Sequence, residues 1–407
     1  MEWFKQNELI SRTGGNRIEQ INYWRVMRYW IAHAKDVMGL STQTPKPIAL
    51  HLAAAVDWIL RAQRGTPDDG VAHSYDIKKR AWIASYPETT GYIIPTLYDY
   101  AKYFDAPHCR EAALRMAHWE VDEQLEDGGV RAGTMAAEVV VPTIFNTGQV
   151  LFGLARAAAE SGDPRLVDAL RKAADWLVDA QDEDGRWRRF PSPFAHSANG
   201  TYNTRSAFGL VRAFEVVGDR RYLDAATKNV AWAMSTALPN GWLPGNCLSL
   251  NVGDSALTHT VAYAMRGILE LGVASNTPRF VDHALLMGRE LAAKQNTNGS
   301  LSGYISPRWE PLSRWTCITG NSQMAINWLR LAKVTGENAF VENARAANRF
   351  NMSIQNLEGA DETRGALKGS HPIGEEYMTW RYPNWAAKFF VDALMFEHLY
   401  SKLDNIG

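Results

Sequence analysis

Three cysteines in 407 residues, Cys109, Cys247 and Cys317, are too few and too widely spaced for a disulfide framework or a cysteine-built metal centre. Net charge is nearly absent, at −1 with a pI near 6.8. That balance excludes nucleic acid or an anionic membrane surface as a bulk electrostatic partner. No apolar run reaches the roughly 20 residues of a membrane span. The opening stretch "MEWFKQNELISRTGGNRIEQ" lacks the apolar core of a secretory signal. A cytoplasmic protein with no integral membrane segment is therefore expected. Also missing are a Gly-Lys-Ser/Thr phosphate loop, a dinucleotide glycine pattern, a His-Glu-x-x-His helix and an Asp-rich diphosphate motif. The expected cofactor is none, and the expected metal is none.

Aromatic residues are plentiful: 11% of the chain, with 15 Trp and 15 Tyr. Trp and Tyr fill cores, and they also stack on ring-shaped ligands. A second abundance is internal repetition. "QDEDGRW" at 181–187 recurs in degraded form as "QRGTPDDG" from Gln63, "QLEDGG" from Gln124, "ALPNG" from Ala237, "QNTNG" from Gln295 and "QNLEG" from Gln355. The steps are 61, 57, 56, 58 and 60 residues, a near-constant period that marks a repeat architecture.

Each copy ends an amphipathic segment such as "PRLVDALRKAADWLVDAQ", and the glycine after it supplies a helix stop. A second helical segment follows each time, for example "NTGQVLFGLARAAAES". It is apolar around more of its circumference, as a helix buried on most sides must be. Connections from second to next first helix are short ("GDP", "GDR", "GEN"). Connections within a repeat run to roughly 16–24 residues, long for a compact domain. The pattern predicts an all-α (α/α)6 toroid over about 46–402, with six outer and six inner helices. "RIEQINYWRVMRYWIAHAKDVM" predicts an extra helix outside the ring. One domain over 1–407 is expected, with 1–45 as its N-terminal helical extension.

Every inner helix starts where a long loop ends, so the inner N-termini converge on the long-loop face. Polar residues gather at that level: Glu88; Asn146; Tyr202, Asn203 and Arg205; His259; Asn321; Asn384. Helix capping explains some of them, but not Tyr, Arg and His at one level in several repeats. The loops add His73 and Tyr75 in loop one, His196 in loop three and Trp242 in loop four. Loop five brings Tyr304, Arg308 and Trp309, and loop six His371, Tyr377, Arg381 and Tyr382. Rings that stack on pyranose faces, forked donors that read hydroxyls or a uronate, and groups that move protons together describe a sugar cleft. The principal cavity is expected on this face, lined by Glu88, Tyr202, His259 and Tyr382.

Two resemblances follow. "QDEDGRW" resembles the QW motif (Gln-x-x-Asp-Gly-x-Trp) of triterpene cyclases, where it ties an outer helix to the next turn. The acid motif of those cyclases (Asp-x-Asp-Asp-Thr) is absent. The six-hairpin plan resembles the (α/α)6 toroid superfamily: six-hairpin glycosidases, unsaturated glucuronyl hydrolases, toroid polysaccharide lyases and the helical domain of D-glucuronyl C5-epimerases. That likeness implies a carbohydrate-active enzyme acting on an oligosaccharide or polysaccharide intermediate that contains uronate, and it transfers no catalytic residue. Hydrolysis is the leading expectation. Glu88, in "YPETTGY", is its acid or base, with Asp76, Asp254, Glu310 or Glu375 as a partner carboxylate. Elimination or C5-epimerisation is the alternative, using Tyr377, Arg381 and Tyr382 with His371. A non-catalytic glycan-binding toroid, and a terpene or prenyl enzyme, are the readings from other classes.

Overall fold

The computed structural model describes residues 23–193, 200–246 and 254–404. A first helix, α1 (Tyr23–Val37), precedes six hairpins. They pair α2 (Ile48–Arg64) with α3 (Pro87–Phe104), α4 (Pro107–Glu123) with α5 (Ile144–Ser161), and α6 (Pro164–Ala180) with α7 (Thr204–Val217). Then come α8 (Arg220–Ser235) with α9 (Thr258–Ala274), α10 (Pro278–Ala293) with α11 (Ile318–Thr335), and α12 (Ala339–Ile354) with α13 (Asn384–Asp404). Helices α3, α5, α7, α9, α11 and α13 contact their neighbours in a closed ring, and α13 returns to α3. The even-numbered helices pack outside them. This is the predicted (α/α)6 toroid.

The short connections have local causes. Gly162, Gly218 and Gly336 end α5, α7 and α11 in left-handed conformation. Asp163 and Asp219 then cap α6 and α8, accepting from the backbone N–H of Arg165 and Arg221.

The repeated Gln–Gly string joins one outer helix to the next. Gln181 Nε2 donates to Gly185 O at 3.2 Å, within its own turn, and to Ala225 O at 2.9 Å, on α8. Gln124 does the same with Gly128 O and Ala169 O, both at 3.0 Å, and Gln295 with Gly299 O at 3.1 Å and Asn343 O at 2.9 Å. Gln355 closes the circle: it donates to Gly365 O at 2.9 Å and to His51 O on α2 at 3.2 Å. Glycine is needed in these turns. Gly185 has φ +88°, and a Cβ there would lie 2.5 Å from Lys228 O of α8. The QW-like string therefore carries architecture.

The long loops contain short strands that tie them together: β1 (Ser74–Asp76), β2 (Ala81–Trp82), β3 (Ala256–Leu257), β4 (Tyr304–Ile305), β5 (Thr316–Cys317), β6 (Ser370–His371) and β7 (Arg381–Pro383). β1 sits between β2 and β7, all antiparallel, so loop one is stitched to loop six. β3–β4 and β5–β6 join loop four to five and five to six.

α1 lies outside the ring, against loop six, as expected of it. Its Tyr29, Trp30 and His33 rings surround Trp380 with centroids 4.9–5.7 Å away. Asp36, near its C-terminus, accepts from the Lys368 ammonium, Ser41 Oγ and Ile373 N. No helix among the described residues is long and apolar enough to cross a membrane.

Candidate active site

The segment "SYPETTGY" folds into the mouth of α3. Tyr86, extended at φ −131°, is the residue before the helix, Pro87 fills its first position and Glu88 stands in its first turn. The Tyr86 hydroxyl donates to Glu88 Oε2. Burial pushes the Glu88 carboxyl from 4.5 up to about 7, against the lowering effect of the Tyr86 hydrogen bond. The helix dipole favours a carboxylate at this position, so desolvation wins. Glu88 is nonetheless only half-buried, as are His73 and Tyr377.

Aromatic and imidazole rings enclose this carboxyl. His73 lies 5.3 Å from the Tyr86 ring and 4.8 Å from Trp385. Trp385 Nε1 donates to Tyr377 OH at 2.8 Å, which leaves the phenolic proton of Tyr377 free to be donated. Tyr377 faces His259 at 5.6 Å, and His259 faces Tyr263 at 4.5 Å. His259 Nδ1 is paired with Gln323 Oε1 at 2.8 Å. Burial holds His259 down to about 4 and His73 to about 3, so both are neutral imidazoles at physiological pH. Burial raises the phenols of Tyr86, Tyr92, Tyr263 and Tyr377, so all four stay protonated. Glu88 is the group of this cluster poised near neutrality.

The other sequence candidates are distributed as follows. Asn146 stays at the site and donates to Arg131 O at 2.8 Å, and Tyr202 packs on Phe145 at 5.4 Å. Asn203 is buried just before α7. Asn321 and Asn384 tie helices and loops: Asn321 Nδ2 reaches Asn351 Oδ1 at 3.1 Å, and Asn384 Nδ2 reaches Ala72 O at 2.9 Å and Thr89 Oγ1 at 2.7 Å. Tyr75 and Tyr382 are buried partners across β1 and β7. Arg381 pairs with Asp76 at 3.4 Å. Trp242 and Trp309 are buried against each other at 5.2 Å, and the Trp309 indole donates to Asn240 O, so both fill the core beneath loops four and five. Tyr304 is partly exposed beside Trp315, and Arg308 is exposed. His371 belongs to the anchor of α1, 3.8 Å from Asp36. His196 lies outside the described residues.

Two cavities stand out. One, of about 930 Å³, lies on the long-loop side at the edge of the ring, between Asp36, Trp315, Arg349 and Glu375. The other, of about 630 Å³, is axial. It runs from Tyr92, Arg205, Tyr263 and Lys388 at mid-barrel to Tyr103 and Lys333 at the inner-helix C-termini. It therefore belongs to the short-turn side. The expected lining of the largest pocket is corrected: neither cavity is lined by Glu88, Tyr202, His259 or Tyr382, although the larger lies on the long-loop side. Arg205 is corrected with it. A short helical turn (Thr201–Asn203) precedes α7 and carries Arg205 below the level of the loops.

Tyr263 and Trp385 were missed because they read as core residues inside apolar helices. A signal was available for Tyr263: it is four residues after His259, so it shares a helix face with a polar candidate. Among the described residues, no three His, Cys, Asp or Glu side chains are grouped to hold a metal ion.

No protein-family model matches this sequence, and no curated protein matches it. Solved structures do. An unsaturated glucuronyl hydrolase specific for heparin superposes with a TM-score of 0.70 at 15% identity, over 87% of this chain and 98% of its own. The unsaturated glucuronyl hydrolase of Bacillus sp. GL1, responsible for glycosaminoglycan degradation, gives 0.66 at 16% identity, over 86% and 96%. Cellobiose 2-epimerase from Bacillus thermoamylovorans gives 0.66 at 7% identity, over 92% and 100%. At such identities the likeness shows the fold alone: the chain is an (α/α)6 toroid, as those structures are.

Proposed function

We propose that this toroid is a carbohydrate-active enzyme that hydrolyses a glycosidic bond of a uronate-containing oligosaccharide, with Glu88 as its single general acid and base. The observation that carries the reading is Glu88 itself, a half-buried carboxyl in the first turn of α3, held near 7 among protonated phenols and neutral imidazoles. A general acid that must also serve as base works best with a pKa near ambient pH. The carbohydrate-processing names of the structural neighbours support the substrate class.

The single carboxylate narrows the chemistry. Ordinary glycoside hydrolysis uses two carboxyl groups about 5–9.5 Å apart. The four partners considered for Glu88 are engaged or apart. Asp76 accepts from the backbone of Lys78 and Lys79 and pairs with Arg381, and Glu310 pairs with Lys294 at 2.8 Å. Asp254 is exposed, and Glu375 lines the peripheral cavity. The loop residues 194–199 and 247–253, outside the described structure, contain no Asp or Glu. A substrate that needs one acid fits better. An unsaturated uronide is such a substrate: its C4–C5 double bond takes a proton at C4 from one carboxyl, and water adds to the cation at C5 while returning a proton to the carboxylate. The C5 hemiketal so formed opens the ring to a ketone, and the C1 hemiacetal left behind expels the glycosidic alcohol. Tyr377, with a free phenolic proton, would hydrogen-bond the sugar, and His73 and Trp385 would pack on its ring. Elimination or epimerisation is the second reading, because Glu88 could instead remove a proton at C5. The tyrosines serve it poorly as bases, since burial raises them.

Purified protein incubated with acidic oligosaccharides, saturated and unsaturated, separates these outcomes. Hydrolysis of an unsaturated uronide releases reducing ends while the ultraviolet absorbance of the conjugated double bond falls. Rising absorbance identifies a lyase. Deuterium uptake at C5 with neither change identifies an epimerase.

A further inference from the structure

The axial cavity on the short-turn side carries charge that the long-loop site does not use. Arg205 is 6% exposed and has no carboxylate partner among the described residues. Its Nε donates to the neutral Gln149 Oε1 at 3.3 Å, and its guanidinium lies 4.1 Å from the Phe152 ring, with Phe208 and Tyr263 at 5.3 and 5.5 Å. Ring faces attract a cation but do not neutralise it. Around it, Lys388 pairs with Asp392, Arg156 with Asp99 and Arg212 with Glu215, while Arg266 shares Glu270 with Arg330. Among the described residues, the positive charge left uncompensated in the buried part of the cavity rests on Arg205 and on the pair that shares Glu270. The mouth is open, since Tyr103, Glu215 and Lys333 are exposed.

Basic residues at inner-helix C-termini have a plain explanation, because a cation there complements the helix dipole. Lys333, in the last turn of α11, fits it. Arg205 does not. It is the second residue of α7, at the positive end of the dipole, where a buried cation is disfavoured twice over. A buried charge without a counter-ion is costly unless something supplies one.

We propose that this cavity is a second binding site, entered from the end of the toroid axis opposite the long loops and with its cations at mid-barrel. It takes the oxyanion group (phosphate, sulfate or carboxylate) of a small ligand entering between the inner-helix C-termini. Arg205 and Lys388 are its principal cations, and the Phe152, Phe208 and Tyr263 rings hold the guanidinium flat toward the cavity. It shares Tyr92 and Tyr263 with the Glu88 cluster, but oxyanion binding there requires no reaction at Glu88.

Calorimetric titrations of the full chain with inorganic phosphate, sulfate and glucuronate, at constant ionic strength, test it. At least one should bind, and Arg205→Met should weaken it roughly 10–100-fold, as expected on losing a charged hydrogen-bond donor. The tightest of the three identifies the source of the oxyanion. Arg221→Met, on the outer surface, should leave binding unchanged. Should Arg205→Met fail to fold, Lys388→Met carries the same criterion, and the anomalous signal of soaked selenate should fall within the cavity. Equal affinity in the cavity variants, selenate only at surface cations, or no binding of any probe at tens of millimolar would overturn the proposal.

Discussion

Replacing Glu88 with Gln separates a titrating, desolvated carboxyl from an ordinary helix-mouth residue, through stability as well as rate. In the folded protein the group sits near 7, against 4.5 when free. Between these values the folded state holds a proton that the unfolded state has released, so stability falls as pH rises through this window. Each pKa unit is worth 1.36 kcal/mol, so the full cost above neutrality is at most about 3 kcal/mol. Gln keeps the shape, can still accept from Tyr86 and carries no charge. The variant should match the parent at about pH 4 and exceed it at pH 8 by about 2–3 kcal/mol. With an unfolding entropy of about 2.1 cal/mol/K per residue, that is a rise in Tm of roughly 2–4 °C for a chain this long. Turnover should fall by about 10²–10⁴-fold, and the parent's activity should decline as pH rises past about 7, where the acid form is lost. Thermal denaturation at the two pH values and initial rates on one substrate suffice. A variant that is less stable at pH 8, or that keeps most of its turnover, refutes the reasoning.

Other outcomes follow from the scaffold. Gln355→Ala removes the ties to His51 and Gly365 that join the last outer helix to the first, and should cost about 2–4 kcal/mol in chemical denaturation. Gly185→Ala must hold a Cβ at positive φ against Lys228 O, and should cost about 2 kcal/mol or more by the same measurement. Asp36→Asn leaves the Lys368 ammonium buried without its partner; the expected loss is about 3–5 kcal/mol, with faster proteolysis at α1. Burial pushes Asp36 up, but the Lys368 charge and hydrogen bonds outweigh it and hold the carboxyl below its ordinary range. The parent should therefore lose this contribution as pH falls through the acid range, while Asp36→Asn, measured by the same denaturation, shows a flatter acid limb.

The toroid was legible because the repeat is written in the chain. Gln124, Gln181, Gln295 and Gln355 recur since each must reach both its own turn and the next outer helix, and that geometry tolerates little change. The loop strands were not legible. Pairs such as Tyr75 with Tyr382 join segments some three hundred residues apart through two or three residues each, too short to leave an alternating pattern. Glu88 and His259 were singled out because polar groups at inner-helix mouths are conspicuous. Trp309 and Trp242 were misread for the converse reason: an aromatic in a loop looks available, and nothing local reveals that two such loops bury their rings on each other. Arg205 lies deeper along the axis than its place in the sequence suggested, because an extra helical turn precedes α7. Depth along the axis, unlike periodicity, cannot be counted from the sequence.

The most direct test of the account is a crystal structure of the Glu88→Gln protein with an unsaturated uronide disaccharide. The account predicts the unsaturated ring on the long-loop face, its double bond within hydrogen-bonding reach of residue 88, and His73, Trp385 and Tyr377 around it. A disaccharide held only in the short-turn cavity beside Arg205, or one on the long-loop face with its double bond turned away from residue 88, would contradict it.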